Sequence, residues 1–340
     1  MAPIRTLFVT YRQTIHQQLI RDAAPDGLDV TMLTSPSKEE VLAALGDKEI
    51  LVSERAGAVD ADHVAAGRNL RLIQRLGSQV HDIDLDAAGA AGIPVCFWPL
   101  EGCTMVAEHA LMQILGLLRR FREGSEVVIE AAPWGDGPVR SDANTFHANW
   151  SGRNDIRHLH DSTVGILGFG EIGTELATRL GPFGCRVLYN RRTRLPRSAE
   201  ERLGVEYAAV DDLLTRSDTV VSLLPHSDET EGSIDAAFIG QMKTGAMLVS
   251  AGASTILDED AVAEAYRSGR LGGVATDGHR WEPVRPDDPL VVLAADRSAN
   301  VVLTPHSAQG DRKLDADARR VEWTNAVNLL AGRPLEHRLV

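Results

Sequence analysis

The stretch TVGILGFGEIGTELATRL, Thr163 to Leu180, decides the fold. It opens as a short run of Val, Ile and Leu and closes with apolar residues at helical spacing, and Gly168, Gly170 and Gly173 occupy the join. A strand, a glycine turn and a helix, in that order, form the setting in which GxGxxG spacing binds a dinucleotide. Gly168 allows the tight turn, Gly170 lets the backbone approach a pyrophosphate, and Gly173 lets the helix pack on the strand. The helix N-terminus then offers N–H groups to the phosphates. A purely structural turn could use the same glycines, but the flanking strand and helix favour the dinucleotide. Gly168, Phe169, Gly170, Glu171, Ile172 and Gly173 are the candidate contacts.

The next apolar run, CRVLYN (185–190), ends in Asn190, Arg191 and Arg192. An NAD-selective site carries Asp or Glu at this point to accept from the ribose hydroxyls. Guanidinium groups there suit a 2′-phosphate, which they can bind in bidentate fashion. The expected cofactor is therefore NADP, with NAD possible; a solvated basic turn is the alternative.

Outward from this unit, apolar runs alternate with helical patterns over most of the chain, which reads as parallel sheets covered by helices on both faces. The earlier runs are 4–10, 29–34, 49–54, 70–76 and 93–98, a flavodoxin-like set. The later ones are 163–168, 185–190, 219–224, 246–252, 272–278 and 300–306, a second doubly wound sheet of Rossmann type. Residues 104–121 repeat apolar side chains at helical spacing and read as one long joining helix. Residues 131–161 form an irregular loop or arm, and a final helix over about 311–331 is expected to return to the first domain.

The 340 residues suit two domains of about 150 residues each. No run approaches the roughly 18 apolar residues of a spanning helix, and the start lacks a signal peptide's apolar core, so a cytoplasmic protein with no membrane partner is expected. A net charge of −13 disfavours nucleic acid. The three cysteines, Cys96, Cys103 and Cys185, make no metal-spaced or redox pair. No metal is expected, since His158 and His160 lack a third ligand at useful spacing.

Two further strand ends carry polar groups: DGHRWEP with Asp277 and Glu282, and LTPHSAQ with His306. A carboxylate beside a histidine fixes the imidazole and raises its pKa, the usual device for delivering a proton to a carbonyl. Placement at the carboxyl edge of a nucleotide-binding sheet lifts these residues above ordinary loop positions.

The pattern resembles the D-isomer-specific 2-hydroxyacid dehydrogenases over about residues 70–325. Asp277 with Glu282-Pro283 looks like the family's Asp-x4-Glu-Pro element, and Leu303-Thr304-Pro305-His306 like the segment carrying its catalytic histidine. Val106-Ala107-Glu108-His109 is similar to the start of the linking helix, and Leu224-Pro225 with Glu229-Thr230 to a cofactor-side loop. The resemblance implies hydride transfer at nicotinamide C4, with His306 exchanging a proton with the substrate oxygen, Glu282 supporting it and Asp277 near the nicotinamide. It also implies a discontinuous substrate domain, 1–103 plus 306–340, around a dinucleotide-binding domain, 104–305, and a homodimer.

The likeness fails at VSAGASTILDEDAV (249–262). Where the family has Asn-x-Ala/Ser-Arg-Gly, this chain has Ser250-Ala251-Gly252-Ala253-Ser254, so Ala253 stands at the position of the substrate-binding arginine. Leu224, Pro225, Ala251, Gly252 and Ala253 are retained as candidate cofactor contacts. The family's Gly-Val-Gly substrate element appears as Gly77-Ser78-Gln79, the candidate substrate contacts. Phe97 and Trp98 could line a larger pocket or pack between domains. Loss of a buried guanidinium facing a carboxylate costs several kcal/mol. Three readings stay open: a reductase for an atypical small carbonyl or hydroxy-acid substrate, an Arg-to-Ala variant of an ordinary enzyme, and a non-catalytic NADP(H) sensor. The retained acid–base pair favours the enzyme.

Overall fold

The computed structural model describes residues 3–12, 14–54, 57–131, 137–310 and 316–340. The chain divides into two compact units, Met1–Thr104 with Asp311–Val340, and Met105–Gly310. In the first unit a five-stranded parallel sheet runs β2-β1-β3-β4-β5, built from β1 (Ile4–Thr10), β2 (Leu28–Thr34), β3 (Ile50–Glu54), β4 (Leu72–Leu76) and β5 (Val95–Trp98). This is the flavodoxin-like order expected. β3 and β4 are buried along their whole length, as strands covered on both faces must be. At the C-terminal end of the chain, Trp323 packs on Phe8 with ring centroids 5.6 Å apart and donates to the Ile20 carbonyl.

The second unit holds a seven-stranded parallel sheet in the order β12-β11-β10-β9-β6-β7-β8. Its strands are β6 (Thr163–Leu167), β7 (Arg186–Asn190), β8 (Val205–Tyr207), β9 (Thr219–Ser222), β10 (Ala246–Ser250), β11 (Leu271–Thr276) and β12 (Val301–Leu303). The chain winds one way from β6 to β8 and the other way from β9 to β12. The topological switch point, where doubly wound sheets bind ligands, therefore lies between β6 and β9.

Three expectations need correction. β8 went unread because it is three residues long, carries Glu206 and sits at the sheet edge after the left-handed Gly204. The joining helix is two helices, Glu101–Leu118 and Phe121–Glu130. The break is at Arg120, whose backbone is left-handed (φ 48°). Its guanidinium binds Glu123 at 2.6 Å, Asp155 at 3.2 Å and the Ser298 carbonyl at 2.7 Å, a tertiary set that outweighs helix propensity. The final helix is also in pieces: residues 311–315 of it lie outside the described residues, and Ala316–Arg319 and Thr324–Leu330 are joined by a tighter turn. Among the described residues no helix is long and apolar enough to cross a membrane. Residues 137–162 contain neither helix nor strand.

Candidate active site

The glycine turn lies at the switch point of the second unit and is built by close backbone approach. Gly168 has φ 84°, and a Cβ there would meet the Leu223 carbonyl oxygen of the neighbouring crossover at 2.7 Å. At Gly252 too a Cβ would collide with this crossover, 2.6 Å from the Leu224 oxygen. A Cβ at Gly170 would have open space around it, so its backbone is left accessible. The helix Glu171–Leu180 starts at Gly170 with no side-chain cap, which leaves its N-terminal dipole end open to an anion. Phe169 is buried against Tyr189, centroids 4.6 Å apart, so only its backbone can face a ligand. That ring explains Gly173, where a Cβ would touch it at 3.1 Å.

At the end of β7, the Asn190 amide donates to the Ala208 carbonyl at 2.8 Å. Arg194 is paired with Glu200 at 2.8 Å, and Arg197 with Glu201 at 2.8 Å. Arg191 differs: its Nη1 is buried and finds no hydrogen-bond partner. A buried guanidinium nitrogen with no acceptor is costly, and an incoming anion would satisfy it. Arg192 beside it is exposed. The turn, the open helix end and this orphaned donor fit a dinucleotide.

A cleft of about 280 Å³ opens beside the turn, lined by Ile172, Leu224, Pro225, Ala251, Gly252 and Ala253 and also by Asp277, Gly278, His306 and Ala308. The sheet thus brings together six of the predicted cofactor-side residues with Asp277 and His306. Glu282 approaches from the loop after β11, its two carboxylate oxygens 2.9 and 2.8 Å from His306 Nδ1. The hydrogen bond to Glu282 raises the His306 pKa above that of an ordinary imidazole. Burial would raise the Glu282 pKa in turn, but His306 and the His279 N–H, 3.0 Å away, outweigh it and hold the carboxylate ionised.

Asp277 is anchored more firmly. It accepts from the Thr304 hydroxyl at 2.6 Å and from the N–H groups of Ser307 at 3.0 Å and Ala308 at 2.8 Å. Burial opposes its ionisation, yet these donors keep its pKa below the ordinary carboxylate value. The Asp277 carbonyl also accepts from His306 N at 2.9 Å, and His306 itself is left-handed at φ 52°. Asp277 therefore fixes the backbone turn that carries His306.

Sequence reasoning missed several supporting residues. His109 Nε2 lies 2.9 Å from the Thr304 hydroxyl and 3.4 Å from Asp277, and Gln113 donates to Thr304 at 3.4 Å. These two lie four apart on the joining helix, a same-face spacing that was available as a signal. Ser254, next to Ala253, donates to Glu282 at 3.4 Å, and Gly278 makes room for it, since a Cβ there would meet the Ser254 hydroxyl at 2.6 Å. Nothing in the sequence marks that contact. Gly77, Ser78 and Gln79 lie in the first unit, directly after β4, with Gly77 at φ 124° and bonded to the Trp98 carbonyl at 2.8 Å. Among the described residues no cluster of His, Cys, Asp or Glu could hold a metal.

The family model for the D-isomer specific 2-hydroxyacid dehydrogenase, NAD binding domain, matches residues 111–308. The chain is 30% identical to a D-3-phosphoglycerate dehydrogenase of Archaeoglobus fulgidus over 97% of its length, but spans 58% of that protein. It is 30% identical to a glyoxylate/hydroxypyruvate reductase B of Yersinia pestis, over 99% of this chain and 97% of that one. A crystal structure of a protein from Pyrococcus horikoshii OT3 superposes with TM-score 0.57 at 27% identity, covering 100% of this chain and 95% of that one.

Proposed function

Because the chain belongs to the D-isomer specific 2-hydroxyacid dehydrogenase family, we propose that it is an NADP(H)-dependent reductase of a carbonyl compound, with His306 as proton donor. The observation that carries this reading is a single cleft lined by both the switch-point loops and His306, whose Nδ1 is held by Glu282 at 2.8 Å. NADPH, when bound, supplies the hydride to the carbonyl carbon. His306 gives a proton to the carbonyl oxygen, and the alcohol leaves with NADP+. With Nδ1 occupied, Nε2 is the nitrogen left to do this. Glu282 orients the ring and stabilises its charged form, and Asp277 holds the turn. The Met105–Gly310 unit binds the dinucleotide in this reading, and Gly77, Ser78 and Gln79 are kept as proposed substrate contacts.

The cofactor preference rests on Arg191 and Arg192. Wild-type protein is expected to use NADPH in preference to NADH, and the double change Arg191→Ala, Arg192→Ala should lower the kcat/KM ratio by about 10 to 100-fold, the worth of a charge-assisted hydrogen bond. Steady-state kinetics with both nucleotides measures it, and a wild-type preference for NADH sinks the assignment.

The pH dependence follows from His306. Reduction needs the imidazolium, so kcat/KM for reduction stays high below the raised folded pKa and falls as pH rises through it. Oxidation of the alcohol needs the neutral ring and rises over the same window. Glu282→Gln removes the cause of the shift and should move the alkaline limb down toward the ordinary imidazole value of about 6.5. An unmoved limb would assign it to another group.

We also read the protein as a homodimer. Phe121, Val128 and Ile129 are 72, 60 and 73% exposed on the helix Phe121–Glu130. Beside them a largely apolar groove of about 730 Å³ is lined by Met112, Leu115, Val301 and Leu303 among others. An exposed apolar face of this kind marks an association surface. Sedimentation equilibrium should give the dimer mass, and Phe121→Glu a monomer; a monomeric wild type contradicts the reading.

A further inference from the structure

Two hollows flank the His306–Glu282 pair. The cleft of about 280 Å³ has Val106, Ile172, Leu224, Ala251, Ala253 and Ala308 in its walls. The other, about 480 Å³, has Pro283, Val284, Val291, Leu303 and Pro305. Neither is lined by a Lys or Arg among the described residues. The acidic groups are close at hand: Asp277 lines the cleft with its carboxylate ionised, and Glu282 lines the second hollow. When His306 is protonated, its charge is already matched by Glu282, and Asp277 adds a carboxylate to this face, with His109 3.4 Å away from it on the side of Thr304.

The cations on the loop after β11 do not offset this. The Arg285 guanidinium stacks on the Trp281 ring, 3.8 Å from its centroid. Arg280 is exposed, and its backbone N–H donates to the buried Glu259 carboxylate at 3.3 Å. Ala253 packs on the apolar core cluster beneath it and its N–H is bonded to the Leu224 carbonyl at 3.0 Å. A substrate carboxylate placed here would shed its water against apolar walls and meet a like charge, with no Lys or Arg among the described lining residues to offset it.

We infer that the group the substrate presents to the Ala251–Thr255 loop is uncharged, so that the substrates are neutral carbonyl compounds such as 2-oxo esters or ketones and not free 2-oxo acids. The inference rests on the reductase reading above and adds no chemical step to it: the carbonyl carbon gains the hydride, the carbonyl oxygen gains the proton from His306, and NADPH leaves as NADP+. An alkoxy or alkyl substituent fills the same volume as a carboxylate, favours the apolar walls and is not repelled by Asp277.

Initial rates with NADPH on matched pairs test it: methyl pyruvate against pyruvate, and methyl benzoylformate against benzoylformate. The ester should exceed its acid in kcat/KM by about tenfold or more in both pairs. A preference for the acids overturns the inference while leaving the reductase reading intact, and loss of that preference in Arg280→Ala would identify the missing grip. If calorimetry shows NADPH bound yet neither member of a pair is reduced, the reductase reading fails and the inference falls with it.

Discussion

His306→Ala should lower kcat for carbonyl reduction by about 10² to 10⁴-fold, the usual worth of a positioned general acid, while the Kd for NADPH stays nearly unchanged. The separation is expected because the two tasks fall on different elements. Nucleotide phosphates would be held by the turn Gly168–Gly173 and by Arg191, at the ends of β6 and β7. The proton would come from the turn after β12, whose shape depends on Asp277 and on backbone bonds that survive loss of the imidazole. Rates under saturating NADPH, together with a calorimetric titration of the nucleotide, measure both quantities. Turnover that survives the change would pass the proton to another group, and a collapse of NADPH affinity would mean that His306 has a structural task.

Ala253→Arg should invert substrate choice. A guanidinium on that loop would face the cleft between Gly252 and the His306–Glu282 pair, and would supply the counter-ion this face lacks. A desolvated, hydrogen-bonded charge pair is worth several kcal/mol when one partner is removed. The acid-to-ester ratio in kcat/KM should therefore rise by about 10²-fold, through gain on pyruvate and loss on its methyl ester. The pH profile of the variant should keep its His306 limb, because Glu282 and Ser254 remain. A ratio that does not move would show that residue 253 does not face the substrate.

What was legible in the sequence was whatever sits in a local pattern. The glycines at 168, 170 and 173 are read from a strand on one side and a helix on the other, and both are present as drawn. Glu282 and His306 stand 24 residues apart, and only the resemblance to the family suggested that they meet; the structure puts a Glu282 oxygen 2.9 Å from His306 Nδ1. The two parallel, helix-covered sheets followed from the alternation of strands and helices, whereas the switch point appeared only with the strand order.

The rest depends on contacts that no local window contains. Thr304 is tied to His109 across 195 residues, and Arg120 breaks a helix for the Ser298 carbonyl across 178. The orphaned nitrogen of Arg191 is visible only once burial is known, since five arginines crowd residues 186–197 and at least two of them, Arg194 and Arg197, are taken by glutamates of the helix Arg197–Leu203. Ser254 shows the same limit from the other side: beside Ala253 it reads as a small loop residue, and only the fold brings it to Glu282.

If the protein is a reductase, a hydride must reach substrate carbon in a His306-dependent way. NADPH deuterated at C4 on the transferred face, incubated with methyl pyruvate, should give methyl lactate carrying a single deuterium at C2 by mass spectrometry, and His306→Ala should give almost none in the same time with the nucleotide bound. Unlabelled product, or no product from a wild type that binds NADPH, would contradict it.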